Sequence, residues 1–285
     1  MIKGKINSLR PHFPASGQPT LAVSGMNVLH DFRGEQRSHA YLDKEDAEIA
    51  TEIGNRLSMK VKTDEISKRV KYKYVFQDTQ YDLVFLMERA HKIGCEIVIE
   101  ESGSKGKSEP SVIRFIPSDH VDRATYHLSY GRTLIEFQPD LTTGNQVEEV
   151  EVRGWDAKNK REIKAIAKRN QIGTRSLDRR SGEGGLKKAF ARRREIIADR
   201  PINSQEEAER MAKAALERIV KDMIKGRGST IGLPDLRAGS VLMIDGLGTR
   251  FDGRYFVTTT THTIGENGYT TQFECRMEET GGTSG

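Results

Sequence analysis

The chain has 285 residues, 35% of them apolar and 31% charged, a balance that allows a buried core beneath a broad polar surface and excludes a wholly disordered chain. Its longest apolar run, Leu83–Met87, is far too short to span a bilayer, so no membrane insertion is expected, and the N-terminal M-I-K-G-K-I-N-S has no apolar stretch of the secretory kind. The net charge of +5 is concentrated in residues 158–200, which hold 15 Lys/Arg against five Asp/Glu and leave the rest of the chain net acidic.

Residues 1–25 read as extended, with Ile2, Ile6, Leu21 and Val23 in short runs around the loop P-H-F-P-A-S-G-Q-P. A helix is predicted over 43–57, with Asp43 as N-cap and Ala47, Ala50, Ile53 and Leu57 on one face. The alternation R-V-K-Y-K-Y-V-F predicts a half-buried strand at 69–76. A second helix fits 79–93, capped by Asp78 or Thr79 and stopped by Gly94, and C-E-I-V-I-E at 95–100 reads as a strand. Residues 101–111 form a Gly/Ser/Lys loop leading into a strand at 112–117, and further strands are predicted at 125–137 and 146–155. The basic segment 158–200 reads as short helices interrupted by glycine, with a disordered tendency. The helix at 204–225 has a capping box, Ser204 with Glu207, and Gly226 as its stop; Ala208, Met211, Ala212, Ala215, Ile219 and Met223 line one face for packing. From 239 to 278 the chain is β again, with a hairpin turn at Asn267-Gly268, and the last six residues read as a flexible tail.

One strand–turn–strand pattern occurs twice, at Leu9–Asn27 and at Phe137–Asp156. Each copy has an apolar residue two before and two after a Pro, then a Gly-containing turn, then an alternating strand that ends V-x-G, an apolar residue, and Asn or Asp. Pro suits a strand edge because it cannot donate to a ladder, and alternation places Leu21 and Val23, or Val150 and Val152, on one face.

No catalytic, cofactor-binding or metal-binding residue stands out. S-G-S-K-G-K-S at 102–108 has two residues between its glycines where a nucleotide-binding loop needs four, and it joins two strands rather than a strand and a helix. The histidines (His12, His30, His39, His91, His120, His127 and His262) show no H-E-x-x-H, and Cys95 and Cys275 lie too far apart for a zinc-ligand pair or a disulfide framework, so a reducing compartment fits. Trp155 in R-G-W-D is expected as a packing residue. K-K-A-F-A-R-R-R at 187–194 suits either a docking arm for an acidic protein or a phosphate backbone, so a nucleic-acid-binding module using 158–200 is the alternative function.

Several stretches resemble the phage late control gene D family, the VgrG-like hub proteins of contractile phage tails and related injection systems. They are G-K-I-N-S-L-R-P-H-F-P-A-S-G-Q-P-T-L-A-V-S-G at 4–25, F-Q-D-T-Q-Y-D-L-V-F-L-M-E-R-A at 76–90, L-S-Y-G-R-T-L-I-E-F-Q-P at 128–139, Q-V-E-E-V-E-V-R-G-W-D at 146–156, and L-R-A-G-S-V-L-M-I-D-G-L-G-T-R-F-D-G-R-Y-F-V at 236–257 with the following H-T-I-G-E-N-G-Y-T-T-Q-F. The resemblance implies a mainly β fold with α+β insertions and two similar tube-type β-barrels. Three chains would form a ring that joins a sixfold tail tube, or its initiator protein, to a threefold spike. A closed trimer offers six similar contacts only if each chain presents two similar surfaces, and this gives the repeat a purpose.

On that basis the expected organisation is a partial first barrel at 1–42, an α+β insertion at 43–130, a second barrel from 131–157 and 230–279, a charged insertion at 158–229 and a tail at 280–285. The first barrel starts close to Met1, so it is expected to be incomplete at its N-terminus, and with the sequence stopping after 279 the spike is expected to be a separate protein. The resemblance further implies a non-enzymatic structural protein of the virion baseplate or injection particle, made in the bacterial cytoplasm. Its partners would be itself, tube, spike and, through 158–200, wedge proteins, with nucleic acid only as passing cargo.

Overall fold

The computed structural model describes residues 4–63, 66, 69–100, 111–117, 126–156, 159–172, 192–199, 202–266 and 268–280. The fold is mainly β with α-helical additions, as expected, and it divides into two units. The first comprises Met1–Arg89 and Ile99–Arg114; the second comprises Ala90–Val98 and Phe115–Gly285.

In the first unit, β1 (Lys5–His12) and β2 (Thr20–Met26) form an antiparallel ribbon, with Leu9 opposite Val23 and Pro11 opposite Leu21. Asn27 then caps a 3-10 turn at Val28–Arg33, its side chain accepting the Leu29 N–H at 3.1 Å. β3 (Gln36–Glu45) leads directly into α1 (Asp46–Arg56), which β4 (Lys60–Lys62) follows. β3 pairs antiparallel with β5 (Lys71–Tyr81), and α2 (Asp82–Lys92) follows without a loop.

Both helices start later than the sequence predicts. Residues 43–45 finish β3, with Asp43 at φ 49°, so Asp43 is no N-cap; the helix starts after Glu45, whose N–H donates to the Glu48 carboxylate at 2.9 Å. Likewise β5 runs on to Tyr81. Asp78 and Thr79 sit opposite Ser38 in a bulge, where Thr79 takes φ 47° and donates its N–H to Ser38 Oγ at 3.2 Å.

Two buried acids tie the helices to the β3–β5 sheet. Asp46 pairs with Arg89 and accepts the Tyr72 hydroxyl at 3.0 Å. Asp82 accepts from Arg56 at 2.8 Å and from Gln77 at 2.9 Å, and Gln77 in turn accepts the Tyr41 hydroxyl at 3.2 Å. Burial is the leading cause of the raised Tyr41 pKa, so the phenol stays protonated. β6 (Cys95–Glu100) and β7 (Val112–Pro117) match the predicted strands, and Val112–Arg114 of β7 pair in parallel with β4. The described strands of this unit close no barrel.

The second unit contains β8 (Tyr126–Ser129), β9 (Leu134–Leu141), β10 (Glu149–Asp156), β11 (Arg161–Lys168), β12 (Arg194–Ile197), α3 (Gln205–Lys221), β13 (Ile224–Ile231), β14 (Val241–Asp245), β15 (Gly253–Gly265) and β16 (Gly268–Thr280). Six strands in the order β8-β14-β15-β16-β13-β9 make one sheet that curls as a half-barrel, and β11-β10-β12 make another. α3 packs on β10, β11 and β16, and the core between these layers includes Val150, Val152, Ile163, Ala212, Leu216, Val220, Tyr255 and Phe273.

Ser204 caps α3 as predicted, accepting the Glu207 N–H at 3.1 Å, but Gly226 does not stop the helix. The helix ends at Lys221, and Gly226 and Gly228 lie inside β13 beneath the Phe137 ring. A Cβ on Gly226 would meet Phe137 Cζ at 2.4 Å, and one on Gly228 would meet Phe273 Cζ at 2.7 Å. The charged segment also departs from expectation. β11 is a regular strand in place of a short helix, with Ile163, Ala165 and Ala167 pointing into the core. The loop at 102–108, His120, residues 173–191, Asn267 and the tail beyond Thr280 lie outside the described residues.

Candidate assembly surfaces

The two copies of the sequence repeat have different fates. In the first, the two strands pair with each other; in the second, β9 joins the six-stranded sheet while β10 pairs with β11 and β12. The repeated unit is therefore a hairpin only in its first copy. Val150 and Val152 are fully buried, whereas the matching Leu21 and Val23 are 57% and 52% exposed. Ile6 and Leu9 are more exposed still, so the ribbon presents an apolar face to solvent. Trp155, expected in the core, is 56% exposed at the end of β10, because the alternation that buries Val150 and Val152 turns 153 and 155 outward.

A second open apolar face lies on β3–β5. Leu42 stands opposite Tyr74 and Ala40 opposite Phe76, and the Tyr74 and Phe76 rings stack at 6.2 Å. Leu42, Tyr74 and Phe76 are each close to half exposed or more, while Tyr41, Val75 and Gln77 on the other side are buried.

The six-stranded sheet offers a polar face opposite its core. Glu136, Arg227, Thr259, Gln272 and Glu274 border a shallow depression of about 330 Å³. An adjoining one of about 540 Å³ shares Arg227 and Glu274 and adds Asp140, Lys225 and Arg276. At the edge of this face a buried ion cluster holds α3 to the sheet. Glu278 accepts from Lys221 at 2.7 Å and from Arg276 at 3.0 Å, and Arg276 also reaches Glu96 at 2.6 Å.

The described bases of 158–200 are largely spent inside the fold. Glu151 sits at the centre of the β11-β10-β12 sheet, with Arg153 at 2.6 Å, Arg194 at 2.8 Å and Lys164 at 3.2 Å. The hydrogen bond from Arg153, then that from Lys164, holds its carboxyl below the ordinary carboxylate range against the opposing effect of desolvation. Glu149 pairs with Arg194 and Lys168, and buried Arg169 donates to the Val147 carbonyl and to Gln146.

Among the described residues no group of three or more His, Cys, Asp or Glu converges as metal ligands, and no helix is long and apolar enough to cross a membrane. His262 donates from Nε2 to the Leu236 carbonyl at 2.9 Å and accepts from the Tyr269 hydroxyl at Nδ1, an arrangement that fixes a loop to the sheet. Cys95 and Cys275 are both buried, and burial pushes the Cys275 thiol pKa up, away from the reactive thiolate. No nucleophile–base pair was singled out in the sequence, and the surfaces that stand out are broad and apolar. The signal of the β1–β2 face was the V-x-G strand itself, whose alternation does not say whether its apolar side is covered.

Comparison with solved structures places this architecture. A 43 kDa tail protein of prophage MuSo2 from Shewanella oneidensis matches with a TM-score of 0.70 at 12% identity, over 97% of this chain and 80% of that one. The tail protein of Neisseria meningitidis MC58 matches equally, with a TM-score of 0.70 at 12% identity, over 97% and 80% of the two chains. A type VI secretion system component of E. coli, described as structurally similar to the T4 bacteriophage tail proteins gp27 and gp5, matches with a TM-score of 0.61 at 11% identity, over 98% of this chain and 60% of that one. The chain thus has a fold shared with phage-tail proteins. No curated protein matches it by sequence. The family model of the Alg8 N-terminal domain matches residues 2–266, and the chain belongs to that family.

Proposed function

We propose that the chain is a structural, non-catalytic hub subunit of a phage-tail baseplate or tail-like injection system, joining a sixfold tube to a threefold spike. The observation that carries this is the extent of the likeness: nearly the whole chain follows the fold of tail proteins. The open apolar strand faces support it, since a subunit made to be buried in an assembly leaves such faces bare.

In this reading three copies close a ring, with the tail tube or its initiator protein on one side and a separate spike protein on the other. Residues 131–157 and 230–279 form the second barrel and 1–42 the partial first, with 43–130 and 158–229 as insertions. Wedge proteins meet 158–200. Assembly takes place in the bacterial cytoplasm, and nucleic acid passes only as cargo. A nucleic-acid-binding role has less support at the described part of 158–200, where Lys164, Lys168 and Arg194 already pair with Glu149 and Glu151 and neutralised bases release few counterions on meeting phosphate.

Affinity-tagging the chain, purifying intact tail particles and imaging them tests this reading. Three copies around the particle axis at the tube end are expected. Absence from the particles, or a twofold arrangement within them, overturns it.

A further inference from the structure

We infer that the outer face of the β11-β10-β12 sheet docks an extended, acidic segment of a neighbouring protein, with Arg153 and Lys164 receiving a carboxylate beside Trp155. This rests on the reading that wedge proteins meet 158–200, and it gives that meeting a surface and a chemistry.

Strand register fixes what the face presents. The odd-numbered residues of β10 point away from the core that holds Val150 and Val152, and their cross-strand partners share that side. Lys168–Glu149–Arg194 form one rung, and Ile166–Glu151–Ile196 the next. Lys164–Arg153 and Glu162–Trp155 follow. The ion pairs agree with this register, since Arg153, Lys164 and Arg194 all reach Glu151.

Charge on the face is layered. Glu149 and Glu151 lie beneath, at 15% and 0% exposure, while the four bases above them are each close to half exposed. Arg153 spends only Nε on Glu151 and Lys164 makes a single contact with it, so both keep N–H donors for an incoming acceptor. Among the described residues Glu162 is the one exposed carboxylate of the face. Trp155, Ile166 and Ile196 stand among the bases, between 39% and 56% exposed, and Trp with Arg is the combination that dominates protein–protein contacts.

Charge and spacing select the occupant. A second copy meeting this face with its own would set Arg153 and Lys164 against like charges. The chain's residues 173–191 carry five Lys/Arg against two Asp/Glu, the same sign as the face. The rungs alternate aromatic, basic, aliphatic and basic, one every two residues, or about 7 Å along the strand. An extended segment repeats its own facing side chains at the same interval. The pattern apolar–x–acid–x–apolar–x–acid therefore matches the face rung for rung, where a phosphate backbone would offer charge alone.

Trp155 is the sole Trp of the chain, so its fluorescence reports on this face in the full-length protein. The probe is the peptide L-S-E-S-L-S-E, compared with L-S-K-S-L-S-K, with the rearranged L-S-L-S-E-S-E and with a short DNA duplex. The probe is expected to shift Trp155 emission to shorter wavelength and to bind at least about tenfold more tightly than either other peptide. Lys164→Gln is expected to weaken it at least about threefold. Ile196→Ser, which leaves every ion pair in place, is expected to do the same and keeps the test open if Lys164→Gln does not fold. No response to the probe, an equal response to the rearranged or lysine peptide, or tighter binding of the duplex overturns the inference. The titration needs no tail particles. A chain found in tails that does not take the probe sinks this surface alone, and a chain absent from tails that takes it sinks the functional reading alone.

Discussion

Leu21 and Val23 of β2 hold the places in the repeat that Val150 and Val152 hold in β10, and chemically the two pairs are near equivalents. One pair is open to solvent and the other lies beneath α3. The strand sequence alone thus sets the alternation, while burial is decided by what the chain supplies afterwards. After β10 come β11 and a 17-residue amphipathic helix; after β2 come a 3-10 turn and a second two-stranded sheet. A repeated strand is a repeated offer of an apolar face, and only one of the two offers is taken up within the chain.

The sharpest way to break this contrast is the same substitution in both copies. Val152→Asp buries an unpaired carboxylate and is expected to cost roughly 4 kcal/mol or more, enough to unfold a marginal protein. Val23→Asp is expected to stay within about 0.5 kcal/mol of the parent in the monomer. Urea denaturation of both variants measures the difference, and equal losses would mean that β2 is covered. Removing the cover comes next. Leu216, fully buried in α3, should cost about 2–5 kcal/mol on truncation to Ala.

The third prediction concerns acid. The Glu151 carboxyl has its folded pKa lowered, so its contribution is fully present above the unfolded carboxylate pKa and is lost as pH falls through the depressed folded value. Acid titration of stability should therefore show a loss below the ordinary carboxylate range that Glu151→Gln removes. The smallest effect belongs to the position shared by Met26 and Trp155, exposed in both copies; Trp155→Ala should change stability by no more than about 0.5 kcal/mol.

Much of the β framework was legible in the sequence. The ribbon at 5–26, the strands at 95–100 and 112–117, the Ser204 cap and the C-terminal strands follow from alternation and turn chemistry. What escaped did so for identifiable reasons. β3 ends in D-K-E, which reads as a helix start, and only the positive φ of Asp43 reveals a strand still in progress. β11 alternates in the sequence as I-K-A-I-A-K, but its lysines suggested a solvated segment until Glu149 and Glu151 were seen to meet them from the neighbouring strand. Gly226 resembled a helix stop because nothing local tells of an aromatic ring arriving from β9. The open faces were the hardest to foresee: a strand carries no mark of whether its partner lies in the same chain.

The glycine pair of β13 has one more consequence. With no side chains at Gly226 and Gly228, the Phe137 ring can lie directly against the β13 backbone. A side chain added at either glycine would have to displace that ring, and with it the packing of the edge strand β9 against Tyr255 and Phe273.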